Sequence, residues 1–225
     1  MTHLRIGRSV IRAVVFDFDG TLARLNIDFA RMRQAISSLS ERFGLPFHDL
    51  KARHILEQVH EAEQILSLQS PTGSRAFVKE AYALIEAIEL AAAAEGEVFS
   101  GVRPLLDTLQ AHGIRTGIIS RNCKRAVSTV FPDLSAFCRV VLCRDDVPHV
   151  KPHPDHLRRA MSFLRAEPTQ TVMIGDHPLD IETGRAAGTF TIGVLSGRCR
   201  TEDFAETGAD GILERVTELI QKFSV

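Results

Sequence analysis

Asp17 and Asp19, one residue apart in Val15-Phe16-Asp17-Phe18-Asp19-Gly20-Thr21-Leu22, form the densest chemical signal in the chain. In an extended segment residues i and i+2 point the same way, so both carboxylates can face one site while Phe18 turns into the core. Gly20 permits a sharp turn, and Thr21 can bond the turn backbone or a bound anion. Two like charges held this close raise the pKa of one carboxyl unless a cation neutralises them. The pattern suits a metal, a nucleophile paired with an acid, or both. It also suits a plain solvated acidic turn, so the surrounding elements must decide.

Those elements are legible from hydrophobic periodicity. The apolar, β-branched run 11–16 predicts a strand buried on both faces, as in the middle of a parallel sheet. From Gly101 onward helices and strands alternate: helix 104–112, strand 114–119, helix 124–130, strand 139–143, helix 154–164, strand 171–175, helix 178–187, strand 189–195 and a terminal helix 216–223. Such alternation predicts an α/β fold, a parallel sheet with helices on both faces. Between the two parts lies a purely helical stretch. Phe29, Met32, Ile36, Leu39 and Phe43 recur at helical spacing behind Asp28 as N-cap, a second helix is expected from about 49, and a third from about 74 to 95. Ser70-Pro71-Thr72-Gly73 reads as the break between these last two. The expected organisation is therefore an α/β core of residues 1–22 and 101–225, with residues 23–100 inserted as a helical bundle.

In sheets of this class ligands bind at the carboxyl ends of the strands. The side chains expected there are Asp17, Asp19, Ser120, Asn122 and Asp176, with Lys151 in the loop after strand 139–143. Carboxylates suit a divalent cation, while hydroxyl, amide and ammonium groups suit a phosphate. His149, His153 and His156 surround Lys151, but Pro148, Pro152 and Pro154 break any regular ligand spacing, and no separate metal site is expected there.

Composition narrows the partners. A net charge of -1 gives no reason to expect nucleic acid or an anionic membrane. The four cysteines form no C-x-x-C pair, which fits reduced thiols in a cytoplasmic protein. No apolar run is long enough for a membrane span, and none resembles a secretory leader. Monomer and dimer are both compatible with the sequence.

Taken in order, Asp17-Phe18-Asp19-Gly20-Thr21, Ser120, Lys151-Pro152 and Gly175-Asp176-His177-Pro178-Leu179-Asp180 resemble the four motifs of the haloacid dehalogenase-like superfamily. The helical insertion resembles that superfamily's class I cap, and the nearest likeness is to its phosphoglycolate phosphatase-like members. The resemblance implies a Rossmann-like core, a required Mg²⁺ and phosphoryl transfer to a small phosphorylated metabolite's acceptor through an aspartyl-phosphate. It implies Asp17 as nucleophile and Asp19 as general acid and base. Mg²⁺ would be held by the Asp17 carboxylate, the Asp19 main-chain carbonyl and Asp176. Ser120 and Lys151 would bind the phosphoryl oxygens, with Gly20, Thr21 and Asn122 beside them. Asp180 would orient metal-bound water or Lys151, or would simply be an acid favoured by the first turn of its helix.

The second acid, Asp19, is missing from the dehalogenases and phosphonate-cleaving members, so the resemblance favours a phosphate ester. His177 stands where a small residue is common, and Arg24 where many relatives carry an acid. A β-phosphoglucomutase-type isomerase shares the same motifs, and a non-catalytic binding protein could share the scaffold. Intact Asp17, Asp19, Lys151 and Asp176 speak against the latter.

Overall fold

The structure is a computed structural model and describes residues 3–224. The chain forms two compact units, one holding the segment up to Leu25 and the chain from Ala93 onward, the other Asn26–Ala92.

In the first unit, β1 (His3–Ile6) and β2 (Ser9–Val10) pair antiparallel and lead into β3 (Ala13–Phe16). All of Ala-Val-Val-Phe in β3 is fully buried. Because successive side chains alternate between faces, β3 must be covered on both sides, which places it inside the sheet. After the Asp17–Leu22 turn, β4 (Ala23–Arg24) leaves the core, and β5 (Glu97–Val98) returns antiparallel to it, pairing Ala23 with Val98 and Arg24 with Glu97.

The second unit is helical. Its first helix, α1 (Phe29–Arg42), is capped as expected by Asp28, whose carboxylate accepts from the Arg31 N–H at 2.9 Å. The second, α2 (Ile55–Gln69), starts later than the sequence suggests. Phe47–Asp49 is a 3₁₀ turn, and the Lys51 and Ala52 N–H groups bond to the Glu61 carboxylate instead of to a helix. The third, α3 (Pro71–Ala94), begins inside the expected breaker. Pro71 occupies the first helical position, where its missing N–H costs nothing, and the Ser70 hydroxyl accepts from the Gly73 N–H at 3.0 Å.

The rest of the chain belongs to the first unit. It runs through α4 (Val102–Ala111), β6 (Arg115–Ile119), α5 (Lys124–Val130), β7 (Val140–Leu142), α6 (Pro154–Leu164), β8 (Thr171–Gly175), α7 (Pro178–Ala187) and β9 (Phe190–Val194). A short α8 (Thr201–Phe204), β10 (Gly211–Leu213) and β11 (Phe223–Ser224) complete it. The main sheet has the order β10-β9-β8-β3-β6-β7, and every printed pairing in it is parallel. Phe16 lies level with both Ile118 and Ile174, so the carboxyl ends of β3, β6 and β8 finish side by side.

Ala13 and Val15 pack in one buried cluster with Leu157, Ala160, Met161 and Leu164 of α6 and Met173 of β8. Each large aliphatic side chain buried there contributes about 1.5–3 kcal/mol. Leu157→Ala would cost about 2–5 kcal/mol by leaving a cavity beneath the strand that carries the acid pair.

The terminal helix expected over 216–223 is instead a 3₁₀ turn, Val216–Lys222, followed by β11, which pairs with β1. Its buried residues Val216 and Leu219 are three apart, and a three-residue repeat is that of a 3₁₀ helix. No helix among the described residues is long and apolar enough to cross a membrane.

Candidate active site

The turn after β3 is organised by one acceptor. The Phe18 carbonyl receives the N–H groups of Thr21, Leu22 and Ala23, at 3.3, 2.9 and 3.0 Å. Closing the chain this tightly puts Gly20 at φ +86°, where a side chain would be strained. The Gly20 carbonyl is in turn held by the Ser196 hydroxyl at 2.7 Å. Thr21 is fully buried, and its Oγ1 has no hydrogen-bond partner among the described residues. A buried hydroxyl in that state calls for an explanation, and a bound ligand or water would supply one.

Asp17 leaves the end of β3 and meets Lys151, whose Nζ donates to Asp17 Oδ1 and to Asp180 Oδ1 at 2.6 Å each. Lys151 is 2% exposed and Asp180 1%. Burial alone would push the ammonium's pKa down, but the charges of Asp17 and Asp180 and their hydrogen bonds outweigh it and hold the pKa above its ordinary value. Burial lifts the Asp180 carboxyl to about 6 against the pull of Lys151, with Asp17 adding to the rise. Asp176, at the end of β8, is pushed well above the usual carboxylate range by burial and then by Asp17 and Asp180.

Asp17, Asp176 and Asp180 each offer a carboxylate oxygen to one cluster whose atoms lie within 4.8 Å of one another. One ammonium faces these acids, so the cluster keeps a negative excess once they are ionised. An all-oxygen donor set with that excess fits a hard divalent cation such as Mg²⁺.

Asp19 stands apart from this cluster. Its Oδ1 accepts from the Leu25 N–H at 2.9 Å, so its carboxylate is bonded to the segment that runs from the core into the insertion. Asp180 combines two roles that the sequence presented as alternatives. Its Oδ1 meets Lys151, while Oδ2 accepts from the His177 N–H at 3.1 Å, completing a capping box at the start of α7. His177 itself caps α7, its Nδ1 accepting from the Leu179 N–H at 3.1 Å.

Ser120 ends β6, fully buried, and its Oγ donates to Asn122 Oδ1 at 2.9 Å while accepting from the Asn122 N–H at 3.2 Å. The two side chains thus form one closed turn beside β3. Arg24 is exposed, ion-paired with Glu97 at 3.4 Å and stacked over Phe99.

Two residues that support Lys151 were not singled out from sequence as such. Arg121 donates from Nη1 to the Lys151 carbonyl, and Arg144 donates to the Arg121 carbonyl at 3.0 Å, bracing the loops after β6 and β7 against each other. His156 is fully buried beneath Lys151. Its Nδ1 accepts from the Lys151 N–H at 3.3 Å and its Nε2 lies 3.1 Å from the Leu142 carbonyl, which fixes the Nε2–H tautomer. Burial, then the Lys151 charge, lowers its pKa to about 4, so it is neutral near pH 7. A histidine two residues after a proline-bounded lysine carries no spacing signal for this role; only the fold brings its ring under the loop.

The model of haloacid dehalogenase-like hydrolases matches residues 14–194, from β3 through β9 and across every residue of the acid cluster. The chain belongs to this family. Over 95% of its length and 95% of the relative's, it is 30% identical to N-acetylmuramic acid 6-phosphate phosphatase of Pseudomonas aeruginosa. It is 29% identical to pyrophosphatase PpaX of Bacillus mycoides, covering 93% of this chain and 95% of that one. A crystal structure from Bacteroides fragilis, described as a haloacid dehalogenase-like hydrolase, matches with a TM-score of 0.66 at 25% identity over 93% of this chain and 99% of that one. The parallel sheet with its interrupting helices is thus the family's α/β fold. As a member of this family the protein is a hydrolase, and these named relatives are phosphatases.

Proposed function

We propose that the protein is a Mg²⁺-dependent phosphatase that hydrolyses a small phosphorylated metabolite through a phosphoaspartate on Asp17. The observation that carries this reading is the Lys151 ammonium lying 2.6 Å from both Asp17 and Asp180, with Asp176 in the same carboxylate cluster. Lys151 keeps Asp17 ionised among like charges and leaves its other oxygen as the nucleophile. That oxygen attacks phosphorus, an acyl-phosphate bond forms, and the ester P–O bond breaks. Asp19 gives its proton to the departing alkoxide, then takes one from the water that attacks the phosphoaspartate. Inorganic phosphate leaves and the Asp17 carboxylate returns.

In this reading Asp17, Asp176 and the Asp19 main-chain carbonyl hold Mg²⁺, and Asp180 positions Lys151. Bound there, the metal would offset the charge of the phosphoryl oxygens. Ser120, Asn122, Lys151 and the Gly20–Thr21 turn receive those oxygens. The inserted helices choose the rest of the substrate. The four cysteines are all free, which fits a reducing compartment such as the cytoplasm.

The test is release of inorganic phosphate from a panel that includes N-acetylmuramic acid 6-phosphate, pyrophosphate and phosphoglycolate, with EDTA or excess Mg²⁺. Turnover should vanish in EDTA and return with Mg²⁺, and Ca²⁺ should substitute poorly because it favours larger, less regular coordination. Full turnover in chelator contradicts the metal assignment. Chromatography of products from a hexose 1-phosphate separates transfer to water from transfer to a second sugar hydroxyl.

A further inference from the structure

We infer that Gly197 and Ser196, in the loop after β9, are positioning residues for the Asp176 carboxylate; this rests on the reading that Asp176 helps to hold Mg²⁺. Two glycines from distant parts of the chain close on that carboxylate. A Cβ built on either Gly20 or Gly197 would fall onto Asp176 Oδ2 and Cγ. At Gly20 the backbone already demands glycine, since φ is +86°. At Gly197 it does not, because Gly197 is absent from the residues with positive φ. Space alone excludes a side chain there, and the atoms that occupy the space are those of Asp176.

The two backbones are tied together. Ser196, next to Gly197, donates its hydroxyl to the Gly20 carbonyl at 2.7 Å. The carboxylate therefore sits in a slot with a Gly20 wall, a Gly197 wall and a Ser196 latch across them. Further along, burial and then the charges of Asp176, Asp203 and Asp180 push the Cys199 thiol up to about 11, as expected of a loop that stays against the acids. Such a slot leaves Asp176 little choice of rotamer, so less ordering remains to be done when a metal binds. Groups that orient a metal ligand from behind typically change metal affinity 10–100-fold when lost.

The experiment is a calorimetric titration of Mg²⁺ into the full-length protein and its Gly197→Ala, Ser196→Ala and Ser196→Thr variants, with circular dichroism to verify folding. Gly197→Ala should weaken Mg²⁺ binding by about 100-fold and Ser196→Ala by about 10-fold, and Ser196→Thr should recover most of the loss by restoring the hydroxyl. In steady-state assays the Mg²⁺ activation constant should rise by more than kcat falls. Folded variants that bind Mg²⁺ like the parent overturn the inference, whereas a parent that binds no Mg²⁺ overturns the metal reading itself. Should Gly197→Ala fail to fold, the two Ser196 variants decide alone, and equal affinity in Ser196→Ala and the parent counts against the latch.

Discussion

Lys151 Nζ lies as close to Asp180 Oδ1 as to Asp17 Oδ1, 2.6 Å in each case, so one buried ammonium serves two acids from different strand ends. The side chains of Lys151 and Asp180 are 3% and 1% exposed, and charges in that setting are stable only as a set.

Removing the ammonium therefore strands the acids. Lys151→Met should cost about 3–5 kcal/mol of stability in metal-free protein, the usual penalty for breaking a buried pair. Adding Asp180→Asn should recover part of that loss, giving a coupling of about 1–3 kcal/mol in a double-mutant cycle. Urea unfolding of the four proteins measures it. Strictly additive losses would mean that the two side chains do not act as a pair.

Asp19 is predicted to serve both halves of the reaction from its place beside the Leu25 N–H. Asp19→Asn should slow an alkyl phosphate by roughly 10²–10⁴-fold. A nitrophenyl ester needs little protonation of its leaving group, so the variant should still release it once and then stall. Stopped-flow absorbance should show a burst of nitrophenolate before slow turnover. No burst, with equal slowing for both esters, would remove Asp19 from this role.

His156 predicts a pH dependence of stability. Its folded pKa of about 4 lies below the ordinary 6.5, so between these values the unfolded chain binds more protons and stability falls as the pH drops. The contribution is fully present above pH 6.5 and lost as pH falls toward 4, amounting to about 3 kcal/mol. His156→Gln should flatten the stability profile between those two pH values relative to the parent, measured by urea unfolding. Parallel profiles would show that the ring is protonated in the folded state.

What the sequence disclosed and what it withheld have separate physical causes. The parallel sheet was readable because β3, β6, β8 and β9 are short apolar runs between periodic helices. Asp17, Lys151 and Asp176 stood out as chemical groups at strand ends. The pairing of β4 with β5 was not readable, since two-residue strands carry no period. Ser70-Pro71 reads equally as a turn or as an N-cap followed by the first helical residue, and only tertiary packing chooses. The double duty of Asp180 was foreseen as two alternatives, because a first-turn acid and a lysine partner look identical in a string of letters. His156 and the Gly197 slot depend on contacts across long sequence separations, which no local pattern encodes.

The insertion can be tested by removing it. Because β4 and β5 pair antiparallel, with Ala23 opposite Val98, the ends of the core at Leu25 and Ala93 can be joined by a short glycine linker at little closure cost. A protein lacking residues 26–92 should remain soluble, bind Mg²⁺ and hydrolyse small activated esters slowly, while losing discrimination among larger ones. The readout is kcat/KM over a substrate panel. An unchanged rank order in a folded truncation would show that the inserted helices do not select substrate.

The most direct test of the account is the location of the phosphoryl group during turnover. The protein, mixed with radiolabelled substrate and Mg²⁺ and quenched in acid within milliseconds, should carry a hydroxylamine-sensitive label. Peptide mapping should find that label on Asp17, and Asp17→Asn should lose both label and turnover. A label on another residue, or one that persists in Asp17→Asn, would contradict the assignment of Asp17 as nucleophile.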